Sequence, residues 1–429
     1  MTRLRVVQVL PGSGDSFYCE NCVRDNALVR SLEKAGQDVV AVPMYLPRVA
    51  DPLEAAADVP VFYGGINAYL QQSSALFRWT PRWIDRIFDS KFLLKIAAKR
   101  AGSVRAKGLG EMTLSVLQGR EGRQAKELER LVRWLESMEK PQITHLSSPL
   151  LLGIGAEIKR RLGTPIVCTL QDEDVWIDAM EEPWRSKCWE TMAEGAKDVA
   201  AFHAVSRYFG DIMRDRLRIP PEKLHVAHVG LDAGPEPGEP AKAPAIGFLS
   251  RMSGKMGLGL LVDAWTILRK TVPGLRLHLS GGSTGDDKPF LDALRKRFAD
   301  EGSAADVTFF DDLSPEPRRA FLSTLSVLSV PAPNGVAFGT YILEALAAGV
   351  PVVLPKLGSY PEIVEATGGG VLYAPNDAAT LARELGALLA DPGRRADLAK
   401  RGREAVVKSF SLASMAARML EIYQGVLKA

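Results

Sequence analysis

Two cations four residues apart, Arg251 and Lys255, lie in the stretch Ser250-Arg251-Met252-Ser253-Gly254-Lys255-Met256-Gly257. The stretch follows an apolar run, Ile246-Gly247-Phe248-Leu249, and so reads as a loop leaving a strand. An arginine can fork onto two phosphate oxygens, and a lysine adds a mobile point charge. The pair is a candidate diphosphate clamp; the plainer reading is a solvated surface loop. A second constellation runs from Pro331 to Pro361. A strand ends at Val330-Pro331, a glycine-bearing loop follows, and a helix is predicted to open near Gly339-Thr340. Unpaired amides at such an opening favour an anionic group. Glu344 falls on that helix among Ile342, Leu343, Ala345 and Leu346. A carboxylate in apolar company needs hydrogen-bond partners, because burying it unpaired is costly. The vicinal hydroxyls of a ribose would satisfy both oxygens. A neighbouring lysine or a backbone amide, such as one near Lys356, would also do so.

Other residues carry weaker signals. Cys19 and Cys22 form a C-x-x-C at a predicted helix start, where a thiol pKa can be lowered. There is no second C-x-x-C, and Cys168 and Cys188 lack ligand-like spacing, so structural thiols lining a loop are expected rather than redox or zinc chemistry. Asp172-Glu173-Asp174 resembles an acidic metal-binding motif but reads here as a polar loop, with Gln171 before it. The histidines show no metal-binding pairs; His145 and His203 read as core or edge residues, with His145 the candidate to touch substrate. Residues 78–107 carry nine cations against Asp85 and Asp89, interleaved with Trp79, Trp83, Phe88 and Phe92 at helical spacing. Such a segment can lie on an anionic membrane surface, or it can pack as a helical insertion with a solvated cationic face.

These residues need a scaffold, and the apolar pattern describes one. Residues 233–244, AGPEPGEPAKAP, hold four prolines and two glycines and break both helix and ladder. On either side, short apolar runs alternate with helical patterns. They are residues 4–10, 38–46, 143–148, 164–170, 199–205 and 223–230, then 243–250, 275–282, 307–312, 326–333, 350–356 and 369–375. Continuous apolar strands alternating with helices indicate parallel sheets covered on both faces. The expected fold class is α/β, with two doubly wound, Rossmann-like domains facing a central cleft. Ligands of such sheets bind outside the carboxyl ends of the strands.

Composition narrows the function classes. The 429 residues are 46% hydrophobic and 24% charged, which excludes a disordered chain, a collagen-like fibre and a disulfide-stapled miniature. Lys and Arg number 54 against 51 Asp and Glu, so no global basicity points to nucleic acid. Four cysteines suit a reducing cytosol. No run approaches the roughly 18 apolar residues of a membrane span. The first apolar run, Val6 to Leu10, is too short for a signal-peptide core. A cytoplasmic protein is expected, with any membrane contact peripheral, on the inner face, through 78–107.

Read in order, three motifs carry a family resemblance. They are Arg251…Lys255-x-Gly257, then Phe338-Gly339-x4-Glu344-Ala345-Leu346-Ala347-x-Gly349-Val350-Pro351-Val352-Val353, then Gly358…Pro361-Glu362-Ile363-Val364. The series resembles the retaining nucleotide-sugar glycosyltransferases of the GT-B fold, and more narrowly their family 4, the glycosyl transferases group 1. Ala204-Val205-Ser206-Arg207, Val229-Gly230-Leu231-Asp232 and Gly369-Gly370-Val371-Leu372 with Pro375-Asn376-Asp377 agree with it. The resemblance implies that Arg251 and Lys255 bind the donor diphosphate and stabilise the departing nucleotide. It places Glu344 on the ribose, and Phe338, Gly339, Thr340 and Tyr341 near the phosphates or sugar. It implies no metal and no cofactor beyond the nucleoside-diphosphate sugar, and a glycan or lipid-linked acceptor. The implied domains are an acceptor-binding domain over 1–232 with a basic helical insertion over 78–140, the linker 233–244, a nucleotide-sugar domain over 245–410, and a helix over 411–429 returning to the first domain.

The sequence departs from that family at three places. The first of two glutamates eight positions apart falls on Val336. Gln171 stands where a histidine often lies near the donor sugar. In the first glycine loop, Gly12 and Gly14 are present, but the paired glycines that open the first helix align with Cys19 and Glu20. His145, Gln171, Asp172, Cys19 and Glu20 are therefore the candidates for the acceptor or sugar side. The functional expectation is glycosyl transfer. The alternative is a degenerate relative that binds a nucleotide or glycan or acts as a scaffold.

Overall fold

The computed structural model describes residues 3–11, 20–45, 62–63, 72, 108–238 and 243–429. They form two compact units. The first holds the N-terminal strand, residues 21–228 and residues 415–429; the second holds residues 229–414 together with Glu20.

In the first unit the chain runs β1 (Arg5–Leu10), α1 (Glu20–Lys34), β2 (Asp38–Pro43), α2 (Gly110–Leu117), α3 (Ala125–Glu136), β3 (Ile143–Leu146), α4 (Leu152–Leu162), β4 (Ile166–Leu170), α5 (Glu173–Asp178), α6 (Trp184–Ala196), β5 (Ala201–Ala204), α7 (Arg207–Leu217) and β6 (Leu224–Val226). The six strands pair in parallel in the order β2-β1-β3-β4-β5-β6. Every residue of β3, β4 and β5 is buried, as strands covered on both faces require. Edge strand β6 is only half-buried. Helix ends follow local chemistry: the Ser206 hydroxyl caps α7 by accepting from the Phe209 amide at 3.1 Å, and Gly163, with φ 67°, ends α4 in the left-handed conformation.

The second unit runs β7 (Ala245–Leu249), α8 (Leu258–Leu268), β8 (Arg276–Ser280), α9 (Lys288–Asp300), β9 (Val307–Phe310), α10 (Pro315–Ser323), β10 (Val327–Leu328), α11 (Thr340–Ala347), β11 (Val352–Pro355), α12 (Tyr360–Thr367), β12 (Gly370–Tyr373), α13 (Ala378–Ala390) and α14 (Pro392–Ser409). Its parallel sheet has the order β12-β11-β10-β7-β8-β9. From β7 the chain winds outward through β8 and β9, then returns to β10 on the other side of β7. The winding direction therefore reverses between β7 and β10, and the crevice outside their carboxyl ends is where doubly wound sheets bind ligands. In the first unit the same reversal lies between β1 and β3.

The described part of the proline-rich segment is tied down. The unit boundary falls at Val229, and the described residues of 233–244 belong to the second unit. Its prolines remove backbone donors but keep their carbonyls. Arg403 supplies the donors: Nη2 reaches Pro235 O at 3.1 Å, and Nε reaches Glu236 Oε2 at 3.0 Å.

The last helix, α15 (Leu412–Lys428), packs on the first unit from Met415 onward. Met415, Met419, Leu420, Ile422 and Tyr423 join Leu4, Val6, Leu28, Leu32 and Ile143 in one buried cluster. Fully burying such a side chain is worth roughly 1.5–3 kcal/mol, so this face holds α15 firmly.

Candidate functional site

In the second unit the predicted cations leave β7 at the reversal point. Ser250 follows the strand directly, and Arg251 is exposed. Its guanidinium is nevertheless fixed: Nε donates to Asp287 Oδ2 at 2.9 Å, and Nη2 donates to Asp287 Oδ1 at 3.2 Å and to Thr284 Oγ1 at 2.9 Å. Burial opposes ionisation of Asp287, but the hydrogen bonds from Arg251 and the Thr284 amide outweigh it and hold the carboxyl below its usual range. Lys255 is exposed, and no described carboxylate pairs with it. Gly257 closes the loop with φ 79°, and a Cβ there would overlap the Pro331 carbonyl. The absence of a side chain at Gly257 lets the loop after β7 lie directly on the loop after β10. Ser253 Oγ is buried in this loop without a hydrogen-bond partner.

The loop after β10 is clamped from its other side. Gly335 and Gly358, both in left-handed conformation, bring their backbones together. Ser359 donates its amide to Val336 O at 3.1 Å and its hydroxyl to Phe338 O at 3.1 Å. Val336, the position of the missing glutamate, is half-buried at this crossing. Gly339 (φ 80°) opens α11 with no side-chain cap. Glu20 groups with this unit, and its carboxylate accepts from the Thr340 amide at 3.2 Å and from the Ser250 hydroxyl at 3.4 Å. Phe338, Gly339, Thr340 and Tyr341 are all buried. The Tyr341 hydroxyl turns into the core, 2.7 Å from that of Tyr360, which donates to Val330 O at 2.9 Å. At Tyr341 it is the backbone that lies at the helix start. Glu344, one turn further on, meets Arg318 of α10: Nη2 lies 2.9 Å from Oε1. The carboxylate thus has an arginine from another helix as an ion-pair partner.

In the first unit, polar residues converge after β4 and at the start of α1. Gln171 is 3% exposed. Its Nε2 donates to Asp25 Oδ1 at 3.0 Å and to Ser147 O at 2.9 Å. Both partners are acceptors, which fixes the amide orientation and commits both hydrogens. The only group Gln171 can offer a ligand is the Oε1 acceptor. Asp172, with φ 65°, pairs with Arg24 at 2.9 Å. Glu173 is buried, and its carboxylate oxygens accept from the Gln171 amide at 2.8 and 2.7 Å. Desolvation pushes its pKa well up despite those bonds. Within the acidic triplet, Glu173 therefore serves the turn itself. Ser147 Oγ is buried nearby without a hydrogen-bond partner.

His145 corrects the sequence reading. It is fully buried, with Nδ1 2.6 Å from Tyr423 Oη and Nε2 2.7 Å from Thr169 Oγ1. Thr169 Oγ1 lies 3.1 Å from His203 Nδ1, and His203 Nε2 lies 2.6 Å from Ala227 O. A carbonyl only accepts, so His203 Nε2 carries the proton. Neutral rings then set the remaining directions: Tyr423 donates to His145, His145 to Thr169, and Thr169 to His203. No ring nitrogen remains for a sugar, and His145 is a core residue that anchors α15.

Known proteins share this chain's pattern. The profile described as glycosyl transferases group 1 matches residues 234–405, and that of glycosyltransferase family 4 matches residues 110–234. The chain belongs to the glycosyl transferases group 1. Among curated relatives, the GDP-mannose-dependent alpha-(1-6)-phosphatidylinositol monomannoside mannosyltransferase of Mycolicibacterium smegmatis is 30% identical over 188 residues, which is 42% of this chain and 48% of that protein. The match thus spans about half of that relative's length. The D-inositol 3-phosphate glycosyltransferase of Acidothermus cellulolyticus is 28% identical over 68% of this chain and 69% of that protein. Solved structures share the GT-B fold of this group. A sucrose-phosphate synthase from Thermosynechococcus elongatus has a TM-score of 0.71 at 17% identity, covering 99% of this chain and 100% of that one. Anabaena HepE in complex with UDP has a TM-score of 0.68 at 16% identity, covering 99% of this chain and 100% of that one.

Some sites expected of a group 1 member lie outside the described residues: Gly12, Gly14, Cys19 and the basic segment 78–107. Of the C-x-x-C, only Cys22, on α1, is described. Among the described residues no cluster of histidine, cysteine and carboxylate could hold a metal, and no helix is long and apolar enough to cross a membrane. The sequence reading missed Asp287, Thr284, Arg318 and Asp25. Each acts through a partner at least 26 positions away or in an adjacent turn, and neither relation leaves a local motif.

Proposed function

We propose that this chain transfers a sugar from a nucleoside-diphosphate-sugar donor to a hydroxyl of a glycan or lipid-linked acceptor, with retention at the anomeric carbon and without a metal. The observation that carries the reading is Arg251, pinned by Asp287 at the exit of β7, with Lys255 in the same loop and the start of α11 following the neighbouring strand. A departing diphosphate gathers negative charge, and fixed cations and helix-start amides stabilise it where it forms. Glu344 would take the ribose. In a front-face transfer the leaving phosphate accepts the acceptor's proton, so no protein base is needed. The polar group around Gln171, Asp172 and Arg24 would receive sugar or acceptor hydroxyls. The relatives' names support the donor class and a polyol-containing acceptor, since they specify GDP-mannose, a phosphatidylinositol mannoside and inositol 3-phosphate.

Calorimetric titration with UDP, GDP and ADP tests the donor side. One nucleotide should bind selectively, and Arg251→Ala and Glu344→Ala should each weaken that binding about tenfold or more. Incubation with the matching nucleotide sugars should then release nucleotide, and NMR of the product should show the donor's anomeric configuration. If folded protein binds no nucleotide, the transferase reading fails. If it binds nucleotide but no donor turns over, a binding relative is the better description.

A further inference from the structure

Glu344 does not stand alone at the position expected to read the ribose. Arg318 Nη2 lies 2.9 Å from its Oε1, and the two side chains are only 16% and 12% exposed. Arg318 is itself held, because Nη1 donates to Leu313 O at 3.1 Å, at the entry to α10. The adjacent Arg319 behaves differently: it pairs with Glu316 on the outside and is 52% exposed. Of the two neighbouring arginines, one is turned inward onto the carboxylate. Glu344 sits between apolar residues of α11, where an ionised carboxyl is stable only if paired.

We propose that Arg318 is a positioning residue for nucleotide recognition, so that the Arg318–Glu344 ion pair reads the ribose diol and not Glu344 by itself. The inference rests on the reading above, in which the second unit binds the nucleoside-diphosphate sugar. The guanidinium offsets the charge of the Glu344 carboxylate and fixes the direction of its oxygens. A carboxylate already oriented loses less freedom when two hydroxyls dock on it. The planar fork of an arginine sets a direction, whereas the ammonium of a lysine sets only a charge. A purely structural Arg318 would also offset the buried charge, but its loss would weaken every nucleotide alike. A positioning Arg318 acts only where the hydroxyls are read.

The distinguishing measurement is discrimination between a ribonucleotide and its 2′-deoxy form. Calorimetry would use UDP, GDP and ADP with their 2′-deoxy counterparts on wild type, Arg318→Ala, Arg318→Lys, Arg318→Gln, Glu344→Ala and the Arg318→Ala/Glu344→Ala double variant. Circular dichroism would confirm the fold of each. Wild type should prefer the ribonucleotide by about tenfold or more, the scale of a hydrogen bond to a charged group. Arg318→Ala and Arg318→Gln should lose most of that preference and keep the affinity for the deoxynucleotide. Arg318→Lys should recover part of the preference, and the double variant should be no worse than Glu344→Ala. Equal weakening of both nucleotides in folded Arg318 variants, or full preference in Arg318→Gln, would overturn the proposal. A wild type that binds none of the nucleotides would overturn the donor reading itself. Loss of preference in Glu344→Ala with full preference in the Arg318 variants would remove only Arg318.

Discussion

Tyr423 Oη lies 2.6 Å from His145 Nδ1, across 278 residues of chain. The bond joins the last helix to the centre of the first sheet and starts a one-directional chain of donors that ends on Ala227 O. Replacing Tyr423 by Phe removes the first donor and leaves a buried ring nitrogen unsatisfied. The expected cost is about 1–3 kcal/mol, seen as a lower urea midpoint with an unchanged slope. An unchanged midpoint would mean that α15 is held by its apolar face without this bond.

Acid should act on the same chain. Burial, reinforced by the neighbouring His203, lowers the His145 pKa to about 3; burial lowers that of His203 to about 4 against the opposing Ala227 carbonyl. In the unfolded chain both titrate near 6.5. Between these values the unfolded state binds more protons than the folded state. Stability contributed by the two rings is therefore complete above about pH 6.5 and is lost progressively as the pH falls towards 4 and below. Urea midpoints between pH 7.5 and 4.5 should fall, and replacing either histidine by glutamine should flatten that decline. Parallel declines in wild type and both variants would assign the acid sensitivity to other groups.

Asp287 orients Arg251 through two hydrogen bonds. Asp287→Asn keeps the size and the arginine but removes the charge that fixes it. Nucleotide affinity should weaken about tenfold, or about 1.4 kcal/mol. Arg251→Ala should lose a hydrogen bond to a charged group, about 1.5–3 kcal/mol. Tighter binding in Asp287→Asn would show that the carboxylate competes with phosphate for Arg251 rather than preparing it.

Gln171→Glu replaces an amide whose hydrogens face Asp25 Oδ1 and Ser147 O with a carboxylate that those acceptors repel. The second unit is untouched by the change. The dissociation constant of the free nucleotide should therefore stay the same, while kcat/KM for transfer falls about tenfold or more. A parallel loss of nucleotide affinity would place Gln171 outside sugar and acceptor recognition.

Much of this molecule is legible along the chain because its strands are short, apolar and buried on both faces. All twelve apolar runs became strands, and the motif residues Arg251 and Lys255 follow β7 while Gly339 and Glu344 follow its neighbour β10. Caps such as Ser206 and Asp377 act locally, because the amide each satisfies lies three residues away. Partnership across the fold was not readable. Arg318 with Glu344, Asp287 with Arg251, Gln171 with Asp25 and His145 with Tyr423 join residues 26 to 278 positions apart. Periodicity and spacing carry no record of such pairs, because they exist only once parallel strands bring distant loops to one sheet edge. His145 shows the cost of that gap. Its polar type inside the apolar run 143–148 left core, edge and substrate contact all open, and the packing of α15 decided for the core.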